Sequence, residues 1–198
     1  DSFNEPEKIV KWAKRAGIGG IAVVDHGTIK GGEIVARLNR DDEFVVITGA
    51  EIKTDRGEVM GYFLNEEIRS RAFMEVVDKM REQDAIISMP HPFDPFRFNR
   101  LREPEALVDY VDAVEVFNSR CLFDSSNKKA LDFSKKHDLG VTAGSDAHSF
   151  SEIGSSGIII KGERIREEMV NNREYFGKKN PLLAHAKTSL QRLFPKRL

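Results

Sequence analysis

Short apolar runs that each end in a histidine or an acidic or amide side chain constrain this chain more than any other feature. Val23-Val24 leads into Asp25-His26, and Thr48-Gly49-Ala50 into Glu51. Ile87-Ser88-Met89-Pro90 leads into His91, and Val114-Glu115-Val116-Phe117 into Asn118. Val141-Thr142-Ala143-Gly144-Ser145 leads into Asp146-Ala147-His148. Such runs are too short for helices and rich in β-branched residues, so they read as strands.

Helical patterns alternate with them. Asn4 is placed to cap a first helix, with Pro6 in its first turn, Ile9, Ala13 and Ala16 as its apolar stripe and Gly17 as its stop. Strands are expected over residues 20–24, 44–50, 58–64, 85–89, 113–117, 140–143 and 157–160. Helices are expected over 32–38, 104–110, 127–137, 164–172 and 182–194. Phe73, Val76, Val77 and Met80 form one more helical stripe, spaced i, i+3, i+4, i+7. Strands without clear polar alternation predict a parallel sheet buried on both faces, with crossover helices: an α/β fold. No linker or repeat interrupts the 198 residues, which read as one domain over 1–198, a barrel to about 162 with the helices of 163–198 packed on it.

An open doubly wound sheet and a closed barrel both fit this alternation. No Gly-x-Gly-x-x-Gly follows a strand; Gly17, Gly19 and Gly20 precede one and read as a helix stop and turn. In a parallel barrel all strand ends of one kind share a face, where the active site is built. The polar residues at five successive strand ends favour the barrel. Three of the five histidines, His26, His91 and His148, fall there. His137 lies in the last turn of a helix, where a cation suits the dipole, and His185 carries no motif.

Imidazole and carboxylate donors without thiolate suit Zn²⁺, Mn²⁺ or Fe²⁺. Asp146 and His148, two residues apart, can project into one pocket, and the two oxygens of Glu51 can bridge two ions. Ions grouped in this way clamp an oxyanion and generate hydroxide from water, which fits phosphate esters best.

Five segments carry a resemblance: Ala22-Val23-Val24-Asp25-His26, Thr48-Gly49-Ala50-Glu51-Ile52, Pro90-His91-Pro92-Phe93, Glu115-Val116-Phe117-Asn118-Ser119-Arg120 and Gly144-Ser145-Asp146-Ala147-His148-Ser149. In order and kind the series resembles the PHP family, named for polymerase and histidinol phosphatase, over residues 1 to about 160. The resemblance implies a distorted TIM-like (β/α)7 barrel, a cluster of as many as three divalent ions and phosphoester hydrolysis. It also implies that Asp1, His26 and His148 surround one ion. Glu51 bridges the other two, with Asp146 on one and His91 on the other. Asp25 then orients a histidine or assists catalysis, and Asp146 doubles as a general base. Arg97 and Arg120 are candidates for the substrate phosphate, since an arginine fork suits phosphate oxygens.

Two family features have no counterpart. A His-x-His and the first barrel strand belong before Asp1, so a longer parent protein is expected, and fewer ions on this chain than on a full family site. A histidine that many members carry after the strand near Gly61-Tyr62-Phe63-Leu64 is also missing, which weakens the site expected at Glu51 and His91.

The single cysteine, Cys121, excludes an internal disulfide, and no apolar run exceeds four residues, too short to cross a membrane. A cytoplasmic location is expected. The formal net charge of -1 offers no general field for nucleic acid. Phe96 and Phe98 nevertheless interleave with Arg97, Arg100 and Arg102 as a small basic-aromatic patch. The expected partner is a small phosphorylated molecule, a nucleotide among the candidates, with oligomeric state open. The competing reading is a metal-poor barrel of the same type acting as a binding or scaffold protein, for example with RNA.

Overall fold

Proline in a first helical turn and an Ile9/Ala13 stripe are met by a helix, α1 (Pro6–Arg15), in the computed structural model, which describes residues 5–171 and 173–180. The expected cap Asn4, the metal candidate Asp1 and the helix expected over 182–194, with His185, lie outside the described residues. Four more helices follow: α2 (Lys30–Leu38), α3 (Phe73–Glu82), α4 (Asp124–Lys136) and α5 (Ile165–Asn171). Pro104–Tyr110 forms a 3-10 helix, a tighter coil than the expected α-helix.

The strands are β1 (Gly20–His26), β2 (Val45–Thr54), β3 (Gly57–Tyr62), β4 (Ile86–Met89), β5 (Ala113–Asn118), β6 (Gly140–Gly144), β7 (Ser156–Ile158) and β8 (Tyr175–Gly177). The first six form one sheet in sequence order, and β7 pairs with β8 in a separate two-stranded sheet. Mixed α/β architecture with a curled six-stranded sheet is therefore the fold. Two expectations need correction here. The strand near 157–160 does not extend the main sheet, because Ile158 pairs back with Tyr175. The segment after 162 accordingly contributes a strand as well as a helix.

The sheet is also not wholly parallel. β1 runs parallel to β2, and β4, β5 and β6 run parallel to one another, but β3 is antiparallel to both its neighbours. Only Asp55 and Arg56 separate the paired residues Thr54 and Gly57. A parallel return needs a crossover of about a dozen residues, so this connection must be a hairpin.

Alternation along the strands assigns two faces. Outward, Ile87 and Met89 of β4, Val114 and Val116 of β5 and Val141 of β6 are buried with Val76, Val77 and Met80 of α3 and Ala130 and Phe133 of α4. Inward, one end is plugged by Ile47, Met60, Tyr62, Ile86 and Met169. Above this plug the inner face turns polar. Ser88 and Thr142 share a hydroxyl–hydroxyl hydrogen bond of 3.0 Å, and Glu115 pairs in register with Thr142. The apolar plug thus closes one end of the curl and leaves the polar end for chemistry.

The loop after β4 is fastened to the β2–β3 hairpin. Glu58 N–H donates to Asn99 O at 2.7 Å, and Arg102 N–H to Arg56 O at 2.8 Å. Gly57, at φ +120°, lies so close beneath this loop that a Cβ would stand 2.4 Å from Arg100 O and 2.6 Å from Leu101 Cα. Both neighbours are backbone and cannot swing away. Gly57→Ala is expected to destabilise the fold by about 2 kcal/mol or more. Urea denaturation would measure it, and an unchanged midpoint would mean that the loop does not rest on the hairpin.

Candidate metal centre

Five strands that point one way deliver their ends to one rim, and β3, running the other way, delivers its beginning there. Glu51 of β2, Glu58 of β3 and His91, just past β4, meet at that rim with one ligand atom each within 4.8 Å of one another. Glu51 lies inside its strand, since β2 continues to Thr54 and does not stop at Ala50. It stands between two imidazoles. Its Oε1 is 3.2 Å from His91 Nε2 and its Oε2 is 3.2 Å from His26 Nδ1.

Glu51 Oε1 and His91 Nδ1 are buried and accept or donate no hydrogen bond among the described residues. Buried polar atoms rarely stay unsatisfied. An anionic oxygen without a donor, beside a second carboxylate and an imidazole, fits a divalent cation. Burial raises the Glu58 pKa, and the charge of Glu51 adds to it. A cation there would relieve both effects.

The second cluster is built at the end of β6. Asp146 Oδ2 receives the Arg97 guanidinium and lies 3.5 Å from Asn118 Nδ2, while Oδ1 is 3.6 Å from His148 Nδ1. Burial works to raise the Asp146 pKa, but Arg97, His148, His91 and Arg120 together outweigh it and hold the carboxyl below its ordinary value. His91 and Asp146 both adopt left-handed backbone, at φ 30° and 48°. Non-glycine residues held there collect at functional sites.

Among the described residues, His26, Asp146 and His148 lie outside the three-donor group of Glu51, Glu58 and His91, although these three line one cleft of about 930 Å³ together with Glu51 and His91. Two expected roles meet a different geometry. Arg120, expected to face phosphate, is buried and gives its guanidinium to Glu152 at 2.7 Å. Glu152 in turn accepts the His148 N–H at 3.0 Å, so Arg120 serves the loop that carries His148. Asp25, expected to orient a histidine or act in catalysis, has no hydrogen bond or ion pair to one among the described residues. Its carboxylate instead packs against Gly31 in the first turn of α2, where a Cβ would lie 1.9 Å from Oδ2. Adjacent strand residues face opposite ways, which separates Asp25 from His26.

Sequence reasoning missed two residues. Glu58 opens a strand, whereas the pattern sought residues that close one; it supplies a third donor beside Glu51 and His91. Glu115 was read as part of an apolar run. It is buried, accepts the His91 N–H at 2.9 Å and lies 3.1 Å from Asn118 Nδ2. Burial pushes its pKa up to about 7, with Asp146 adding to the rise and His91 opposing it.

A pKa raised from 4.5 to about 7 has a definite sign. Between these values the folded chain holds a proton that the unfolded chain releases. Stability is therefore highest below the unfolded value and falls as pH rises through about 7, by roughly 3 kcal/mol. Glu115→Gln should abolish that fall. In chelator, the melting temperature of the parent relative to the variant should drop between about pH 4 and pH 8. A constant difference would mean that the Glu115 charge is not buried.

Comparison with known proteins accords with this geometry. A family model described as PHP-associated matches residues 124–172. The uncharacterized protein MJ0417 of Methanocaldococcus jannaschii is 47% identical over 117 residues, 56% of this chain, and the match spans only about half (49%) of that protein. The uncharacterized protein MJ1587 of the same organism is 38% identical over 125 residues, 60% of this chain and 69% of that protein. Among solved structures, a two-domain protein of Bacteroides vulgatus described as containing a predicted PHP-like metal-dependent phosphoesterase superposes with a TM-score of 0.73 at 18% identity. That superposition covers 90% of this chain and 61% of the other. The motif series, the curled sheet and these likenesses agree: the chain belongs to the PHP domain family.

Proposed function

We propose that the chain acts as a metal-dependent phosphoesterase. The observation that carries the reading is the buried, unsatisfied oxygen of Glu51 beside His91 and Glu58, in a cleft that Asp146, the partner of Arg97, also lines. Zn²⁺, Mn²⁺ or Fe²⁺ fits these donors. Such an ion, when bound, supplies positive charge to phosphate oxygens and acidifies water.

The chain's own residues divide the remaining work. Glu51, Glu58 and His91 hold one ion, and His26, Asp146 and His148 are placed to hold others, with Asp1 assigned to them by family resemblance alone. Glu115 accepts the His91 N–H and so fixes the backbone that aims the imidazole. Asp146, ionised at neutral pH, is placed to take a proton from the attacking water. Arg97 is held at Asp146 and is positioned to transfer its fork to an arriving phosphate, since two anions then share one guanidinium. The substrate is a small phosphorylated molecule.

Two outcomes test the reading. Hydrolysis of a panel of phosphomonoesters and diesters should depend on added Mn²⁺ or Zn²⁺ and stop in chelator. Asp146→Asn should then lower turnover about a hundredfold or more while the chelated melt stays close to that of the parent. Unchanged turnover would remove Asp146 from the mechanism. Glu58→Gln should weaken Mn²⁺ binding at least about tenfold in titration calorimetry. Equal affinity would exclude Glu58 as a ligand.

A further inference from the structure

Lys178, Lys179 and Asn180 follow β8 outside the lining of the cleft, yet each is fastened to a neighbouring loop. Lys178 N–H donates to Ser155 O at 2.8 Å, Lys179 Nζ to Leu122 O at 2.7 Å and Asn180 N–H to Ser119 O at 2.8 Å. The Asn180 side chain is buried. Its Nδ2 lies 3.2 Å from Glu152 Oε1 and 3.2 Å from Ser145 O. A carbonyl and the carboxylate that pairs with Arg120 both accept, so the amide presents one N–H to each.

The contact to Ser145 bears on chemistry. β6 ends at Gly144, so Ser145 is the first residue off the sheet and Asp146 the second. Asp146 has φ 48°, left-handed backbone that a residue with a side chain keeps only where its surroundings impose it. The angle φ is set between the peptide plane that carries Ser145 O and the rest of Asp146. Asn180 holds that preceding plane through Ser145 O. His148 holds the following plane, since its Nδ1 lies 2.8 Å from Asp146 O. His148 is itself fastened, its N–H donating at 3.0 Å to Glu152, the residue that Asn180 also reaches. With both planes held, the Asp146 carboxylate is turned toward Arg97 and into the cleft.

We propose that Asn180 is a positioning residue: from outside the cleft, it keeps Asp146 in left-handed backbone and so keeps the carboxylate aimed at the reaction. The effect on turnover rests on the phosphoesterase reading; the effect on the backbone does not. Asn180 touches neither the Glu51, Glu58 and His91 donors nor Arg97 among the described residues, so its removal leaves the first ion and the phosphate fork in place. What it withdraws is the orientation of one carboxylate. Partners that orient a reacting group in this way commonly govern rate more than binding.

Two variants test it. Asn180→Ala removes the amide, and Asn180→Leu keeps its size while removing only its polar groups. In crystals grown with chelator, Asp146 should leave positive φ in both variants. An unmoved Asp146 overturns the proposal. So does failure of both variants to melt cooperatively, because Asn180 would then be needed for folding as a whole. With Mn²⁺ and para-nitrophenyl phosphate, each variant should lose about tenfold in kcat while KM stays within about twofold of the parent. Placed on top of Asp146→Asn, the same substitutions should cost less than about twofold, because the carboxylate they misdirect is already neutral. A merely structural role would cost the same in both backgrounds. An equal loss in the two, or a loss confined to KM, therefore overturns the assignment. A moved Asp146 in a parent that hydrolyses no phosphoester keeps Asn180 as the anchor and removes the phosphoesterase reading. An active parent with Asp146 unmoved in the variants does the reverse.

Discussion

Strand direction governs where each polar side chain of the site can stand. Five strands share one direction, so His26, His91, Asn118 and Asp146 reach one rim because each stands at or just beyond a C-terminal strand end. The hairpin forced by the two-residue Asp55-Arg56 turn reverses β3 and sends Glu58 to the same rim from the opposite end. The consequence is electrostatic. Glu51, Glu115 and Asp146 line one cleft with Glu58 beside Glu51, and both burial and neighbouring like charges raise a carboxylate's pKa. Glu58 and Glu115 are raised, chiefly by burial and then by a neighbouring carboxylate, while Asp146 is held low by Arg97 and the histidines. The cleft thus holds carboxylates of different acidity within one small volume, the condition for residues of one type to play different parts.

A second frame holds the rim in shape from behind. Glu152 is 2% exposed and accepts hydrogen bonds from the Arg120 guanidinium, the His148 N–H, the Ser149 hydroxyl at 2.9 Å and the Asn180 amide at 3.2 Å. A buried ion pair of this kind is a weak source of stability, but losing one partner strands a charge. Its value here is positional. The loop bearing Asp146 and His148 is tied to the loop after β5 through Arg120, and to the residues beyond β8 through Asn180.

Much of this was legible in the sequence because strands announce themselves by composition and parallel strands place their ends predictably. The apolar runs near Val23, Ile87, Val114 and Val141 all became strands of the main sheet, and the polar residues that follow them share one cleft. What stayed hidden depended on direction or on tertiary partners. Glu58 was invisible to a search for strand ends because its strand is reversed. Glu115, flanked by valines, looked like an outlier in a core strand, and only burial beside His91 and Asn118 gives it meaning. Arg120, two residues after Asn118, resembled a phosphate ligand until its partner Glu152, thirty-two positions away, was in view. Pairings across such distances leave no local periodicity to read.

The irregularity between Glu115 and Phe117 in the pairing of β5 with β6 has a geometric consequence. In a regular strand, residues three apart face opposite sides of the sheet. A bulge adds one residue to one strand only and shifts the phase of everything after it. Asn118 therefore turns to the same side as Glu115, and its Nδ2 reaches both carboxylate oxygens, at 3.1 and 3.3 Å. The extra residue acts as a half-turn in the chain's odd–even count. It lets β5 spend Val114 and Val116 on the outer core and still bring two polar residues in succession to the inner rim. It also sets the heading with which the chain leaves the sheet, and so which way residues 119–123 run from β5 to α4.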